Sequence, residues 1–187
     1  RDGTITFTSG STLDAGSVTL GGSGGTPGQG TINMTAGGTL KTGSLAVGAG
    51  AGTWTPGTGT VELNATNTLP GTPFASFRHL VINGGTPTIS TATSITNGGS
   101  LTLTSGTLAA GSNLAMSTTS SITRTGGSMT GTLQGTGAYD VTFTGNSKTS
   151  GAEFSGGGLR NVTINLTSGQ TLTLGADTAP DGDLTIT

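Results

Sequence analysis

Apolar and polar residues alternate along nearly the whole chain. Ile5 and Phe7, Leu101 and Leu103, Val141 and Phe143, Val162 and Ile164, Leu172 and Leu174, and Leu184 and Ile186 each flank a single threonine. A period of two carried by β-branched and aromatic residues marks strands with one buried face. No stretch shows the i, i+3, i+4, i+7 spacing of a long amphipathic helix, and glycine interrupts every window of about a dozen residues. The pattern predicts an all-β chain.

The strands recur. Residues 3–20 (GTITFTSGSTLDAGSVTL) align without a gap on residues 30–47 (GTINMTAGGTLKTGSLAV) at an offset of 27, and residues 99–116 (GSLTLTSGTLAAGSNLAM) form a further copy one residue shorter. TPGQGTINM (26–34) matches TPGTGTVEL (55–63) at an offset of 29. Coils then begin near residues 3, 30 and 59. Several short strands per repeat, glycine corners and no helix favour a β-helix over a propeller, whose blades need about 40 residues and four antiparallel strands. The expectation is one parallel β-solenoid domain over residues 1–187, with roughly seven coils of about 27 residues. Inward ladders are expected at Ile5, Ile32 and Val61; Phe7, Met34 and Leu63; Leu13, Leu40 and Leu69; and Val18, Leu45 and Phe74. Asp14 and Lys41 fall on one outward column in adjacent coils. Gly37-Gly38, Gly84-Gly85 and Gly126-Gly127 read as corners, where positive φ lets the chain turn.

Composition supports this picture and removes several functions. Thr (42), Gly (37) and Ser (19) make up more than half of the 187 residues. That bias would suit a flexible linker, but a linker has no hydrophobic period, and a net charge of −2 is too low for a charge-expanded disordered chain. The core of a solenoid is thin, so it tolerates sparse apolar content. Six scattered Lys and Arg provide no footprint for nucleic acid. No apolar run is long enough to insert into a membrane as a helix. The absence of cysteine excludes a disulfide framework.

A longer duplication lies over the short one. VELNATNTLPGTPFASFRHLVI (61–82) matches VTFTGNSKTSGAEFSGGGLRNVTI (141–164): Val61 and Leu63 with Val141 and Phe143, Phe74 with Phe154, and Arg78, Leu80 and Ile82 with Arg160, Val162 and Ile164. The phrase F/L-R-H/N-hydrophobic-x-Ile followed by G-x-L-T-L resembles the repeats of secreted bacterial β-helix proteins, the adhesin-like and passenger-like repeats of large cell-surface proteins. The resemblance spans most of residues 3–187. It implies export and a β-helix, and it transfers no catalytic residue.

Candidate chemistry is thin. Gly21-Gly22-Ser23-Gly24-Gly25 spells G-x-S-x-G, but no helix follows and His79 is the only histidine, so a glycine loop explains it. Lys41-Thr42 follows Leu40 and belongs to no phosphate loop; Gly28-Gln29-Gly30 and Gly48-Ala49-Gly50 open no helix. His79, in register with Asn161 and outward like Val81, reads as a surface imidazole. Asp177, Asp181 and Asp183 form the one acidic cluster and a weak calcium candidate, although the Pro180-Asp181-Gly182 turn explains them more simply. Trp54, placed in a bulged corner, and Tyr139 are single aromatics without the repetition of a sugar groove. No enzyme, cofactor or metal centre is expected. Sequons occur at Asn33, Asn64, Asn161 and Asn165.

Two features remain. One is the recurring T-x-T at Thr4/Thr6, Thr102/Thr104, Thr142/Thr144, Thr171/Thr173 and Thr185/Thr187, which on a flat face would offer an ice-binding array. Glu62, Asp140, Asn33 and Arg124 sit at comparable positions and count against it. The other is the pair of uncapped ends. The chain opens on the repeat strand Gly3-Thr4-Ile5-Thr6-Phe7 and stops on Gly182-Asp183-Leu184-Thr185-Ile186-Thr187, which matches Gly99–Thr104 at an offset of 83 and reads as the equivalent strand. Open ends of this kind suit head-to-tail association with further copies, and a non-closing contact makes a filament. The expected function is therefore an extracellular, secreted structural protein that polymerises with itself. An adhesin or stalk segment of a larger surface protein, in contact with cell-surface or matrix glycans, is the alternative; an ice-binding face is third.

Overall fold

A computed structural model describes residues 2–22, 28–50, 52–135, 137–175 and 177–187. The chain winds into a parallel β-solenoid with three faces, and every ladder between its strands is parallel. On the first face Thr4–Thr6, Thr31–Asn33 and Thr53–Thr55 pair in order. This face continues past the Trp54 ring, which lies against Phe74 and Phe77, into the openings of Ser76–Asn83 and Thr93–Ser105, then Leu114–Met116 and Leu133–Gly135.

The second face is the longest. Its strands are Thr12–Ala15, Thr39–Thr42, Thr60–Leu63, the later halves of Ser76–Asn83 and Thr93–Ser105, Ser120–Arg124, Tyr139–Gly145, Leu159–Leu166 and Leu184–Ile186. The third face holds Val18–Leu20 and Leu45–Val47, then Thr68–Leu69, Thr88–Ile89, Thr107–Ala109 and Ser128–Thr130, then Lys148–Thr149 and Leu172–Thr173. Two strands, Ser76–Asn83 and Thr93–Ser105, bend through a corner and so serve the first and second faces together.

The core is the set of inward columns. Leu13, Leu40, Val61, Leu80, Leu101, Ile122, Val141, Val162 and Leu184 stack in register along the second face. From Leu40 to Val162 all of them are buried. Their spacing is 27 residues at the first step and 19–22 at every later one, so the coil is about 21 residues and not 27. The extra residues of the first coil lie between Leu20 and Thr31, a stretch that includes undescribed positions.

The shorter coil changes the ladders. Ile5 and Ile32 do stack, but Trp54 is the third rung, and Val61 joins Leu13 and Leu40. Leu63 follows Thr42, Leu69 pairs with Ile89, and Phe74 packs on Trp54, whereas Val18 and Leu45 pair as expected. The copy at 99–116 is displaced by one face relative to 3–20, because its Leu101 lies on the Leu13 column and not on that of Ile5. The longer duplication is in phase: Val61 and Val141 share one column, Leu63 and Phe143 another.

Corner glycines stack in the same way. Gly85 and Gly106 adopt φ of +59° and +75°, and a Cβ on Gly106 would collide with the Gly85 carbonyl oxygen of the preceding coil. The close approach of successive corners, as much as the left-handed backbone, requires glycine there.

Candidate functional site: the ends of the solenoid

Four large hydrophobic side chains are exposed among the described residues, and all lie at the two ends: Ile5, Leu174, Leu184 and Ile186. At the start, Thr4–Thr6 is exposed throughout and pairs only with Thr31–Asn33, so one backbone edge is open. Ile5 there adjoins a groove shared with Val18, Leu20 and Ile32. At the other end Leu184–Ile186 pairs only with Leu159–Leu166, and Ile186 is 73% exposed. Beside it a depression of about 300 Å³ is lined by Phe154, Val162, Ile164, Leu172, Leu174 and Leu184. In each inner coil the same columns are covered by the next rung. Full burial of such side chains is worth about 1.5–3 kcal/mol each, and an unpaired strand edge adds a row of free N–H and C=O groups.

The two end strands are not equivalent, contrary to the expectation. Leu184–Ile186 does match Gly99–Thr104, since both lie on the second face, but Thr4–Thr6 lies on the first. The second-face edge at the start is Thr12–Ala15.

A buried ion pair, missed in the sequence, lies near the end with the depression. Arg124 follows Leu103 and precedes Phe143 on an inward column and is 5% exposed, so it is not the outward residue expected from the sequence. Its Nε donates to the Gly127 carbonyl at 2.9 Å, and its Nη1 to Thr149 O at 2.8 Å and Glu153 Oε1 at 2.5 Å. Glu153 is fully buried in the short 3-10 turn Ala152–Phe154, where Oε1 also accepts from the Gly151 N–H. The guanidinium lies over the Phe143 ring, 5.7 Å from its centroid. Tyr139 closes the cluster by donating its hydroxyl to Glu153 O at 3.0 Å, and burial above all pushes its phenol up to about 12. The parity of Ile122-Thr123-Arg124 pointed inward; nothing in Ala-Glu-Phe identified the partner.

The other candidates disperse. Ser23, Gly24 and Gly25 lie outside the described residues. Trp54 is a core residue of strand Thr53–Thr55 and not a bulged corner; its Nε1 donates to Ser76 O, and with Tyr139 also buried neither ring faces a ligand. His79 does point outward, half-buried, with Nδ1 2.9 Å from Ser100 Oγ. Desolvation, helped by the Arg78 charge, lowers its pKa below the ordinary imidazole value. Asp14 and Lys41 are in register, but the ion pair that forms is Lys41–Glu62 at 3.5 Å. Asp140 is held below the usual carboxylate range, chiefly by its hydrogen bonds from Arg160.

Asp177, Asp181 and Asp183 are exposed, and no group of three or more metal-ligating side chains converges among the described residues. Asn161 donates to Asp140, Asn33 accepts from Thr35, and Asn64 and Asn165 are exposed. No helix is long and apolar enough to cross a membrane among the described residues.

No family model matches this chain, and neither a curated protein nor a solved structure matches it.

Proposed function

We propose that the chain is a structural module of an extracellular protein, a β-solenoid subunit whose copies stack head to tail into a filament. The observation that carries this reading is the confinement of the exposed large hydrophobics to the two ends, beside open strand edges. In such a stack Leu184–Ile186 pairs with Thr12–Ala15 of the next copy, which continues the second face. Gly3–Phe7 and Asp183–Thr187 lie at the joint, and apolar columns run through it. The resemblance to secreted surface repeats supports an extracellular setting.

Electron microscopy of the purified chain, with light scattering at two concentrations, tests the proposal. Filaments are expected with an axial repeat of about 43 Å, nine rungs at about 4.8 Å each. Ile186→Lys, a change at a largely exposed side chain, is expected to leave monomers with native circular dichroism. Filaments formed equally well by this variant would place the contact elsewhere, and a monomeric native chain would remove the proposal.

A further inference from the structure

The outward positions of the second face form straight columns in the register of the strands. One column runs Asp14, Lys41, Glu62, Val81, Thr102, Thr123, Thr142, Thr163 and Thr185. From its fifth rung onward every position is threonine. Two residues further along the chain from each stand Thr104, Thr125, Thr144, Asn165 and Thr187, of which Thr125 and Thr187 lie one residue past their strands. Thr144 is registered on Asn165, and Thr144 Oγ1 lies 3.4 Å from Thr125 Oγ1. The Thr125 and Thr187 amides bond to Leu103 O and Ile164 O, which extends the same pairing through the second column. Nine of these ten sites are threonine, and none is charged.

The residues that spoke against such an array are elsewhere. Arg124, between Thr123 and Thr125, is turned into the core and bound to Glu153. Asn33 is on the first face, and Glu62 lies two rungs before the first of these threonines. Asp140 flanks the array on a neighbouring column and is paired with Arg160. The charges of the main column are confined to its first three rungs.

We propose that this threonine double column binds crystalline water, that is, an ice face. The β-branch makes each threonine stiff at χ1, which fixes both methyl and hydroxyl. Parallel stacking repeats them about every 4.8 Å along the axis and about 6.7 Å along a strand. The register has no shift across Leu101–Leu103, Ile122–Arg124, Val141–Gly145 and Leu184–Ile186, so the axial spacing of the main column recurs without drift. Water over methyls at fixed intervals, with hydroxyls between them, takes up the same planar repeat. Charges would draw that water into radial shells; none of the ten sites is charged, and the charges beside them are engaged, Asp140 with Arg160 and Lys148 with the Thr144 and Asn146 carbonyls. A sugar-binding face would present aromatic rings, but Trp54 and Tyr139 face inward. The proposal does not depend on end-to-end assembly, because the array lies along the side of the rod.

The test uses the whole chain. Partition into a slowly growing ice front, ice-crystal shape and thermal hysteresis are measured for the native chain, Thr142→Tyr at the centre of the array, and Thr39→Tyr on the early rungs, with circular dichroism to verify folding. The native chain and Thr39→Tyr are expected to enter the ice and facet its crystals, while Thr142→Tyr loses both effects. A folded native chain that is excluded from ice, or equal behaviour of Thr142→Tyr and the native chain, would overturn the proposal. Retention on crystalline cellulose that Thr142→Tyr abolishes, without uptake into ice, would overturn it in favour of a polysaccharide surface. Ile186→Lys separates the two readings: it is expected to stop filaments and to retain ice uptake.

Discussion

Replacing Glu153 by leucine strands the Arg124 guanidinium inside the coil. In the native chain Arg124 is 5% exposed, and among the described residues Glu153 is its only counter-charge within salt-bridge distance. After Glu153→Leu the cation keeps the Gly127 and Thr149 carbonyls but no anion, and the Gly151 N–H loses its acceptor. Breaking a buried pair from one side costs about 3–5 kcal/mol. Arg124→Leu is expected to cost a similar amount, because it leaves the carboxylate buried without its cation.

The double variant Arg124→Leu/Glu153→Leu behaves differently. Leucine at 124 joins an inward column between Leu103 and Phe143, and both desolvated charges are gone. Its stability is expected within about 2 kcal/mol of the native chain, since apolar replacement of a buried pair is often neutral or better. Urea unfolding followed by circular dichroism gives all four free energies of the cycle. A cost below about 1 kcal/mol for Glu153→Leu, or a double variant as unstable as the two single losses combined, would refute the reasoning.

Gly106→Ala is expected to destabilise by more than the ordinary glycine-to-alanine difference of about 1 kcal/mol, since the new Cβ meets both a positive φ and the Gly85 carbonyl; thermal unfolding against Gly3→Ala, where nothing crowds the site, checks it. Asp140 titrates below its ordinary value in the folded chain, so its contribution is complete above the ordinary carboxylate pKa and is lost as pH falls through the depressed one. Asp140→Asn is therefore expected to flatten that part of the acid limb of the stability profile, and an unchanged limb in urea titrations across acid pH would contradict the assignment.

Strand type and solenoid architecture were legible because they rest on short-range facts. Alternation around single threonines, as in Leu101-Thr102-Leu103, settles which side chain turns inward wherever a strand forms, and glycine pairs mark where it must turn. The coil length was not legible. All three faces carry the same strand-and-corner texture, so 99–116 resembles 3–20 although the two are out of phase by one face. Phase is decided by which side chains fill the interior together. Trp54 sits over Ile32 because its ring completes a cluster with Phe74 and Phe77, which lie 20 or more residues further along the chain.

The same division runs through the sites. T-x-T pairs were visible locally, but only the register brought four of them together with Thr163 and turned Arg124 away from them. The ion pair needed a glutamate 29 residues from its arginine. Local pattern determines what each strand is, because alternation and turn chemistry act over a few residues; packing across coils determines what each strand meets, because burial and charge pairing are summed over distant ones.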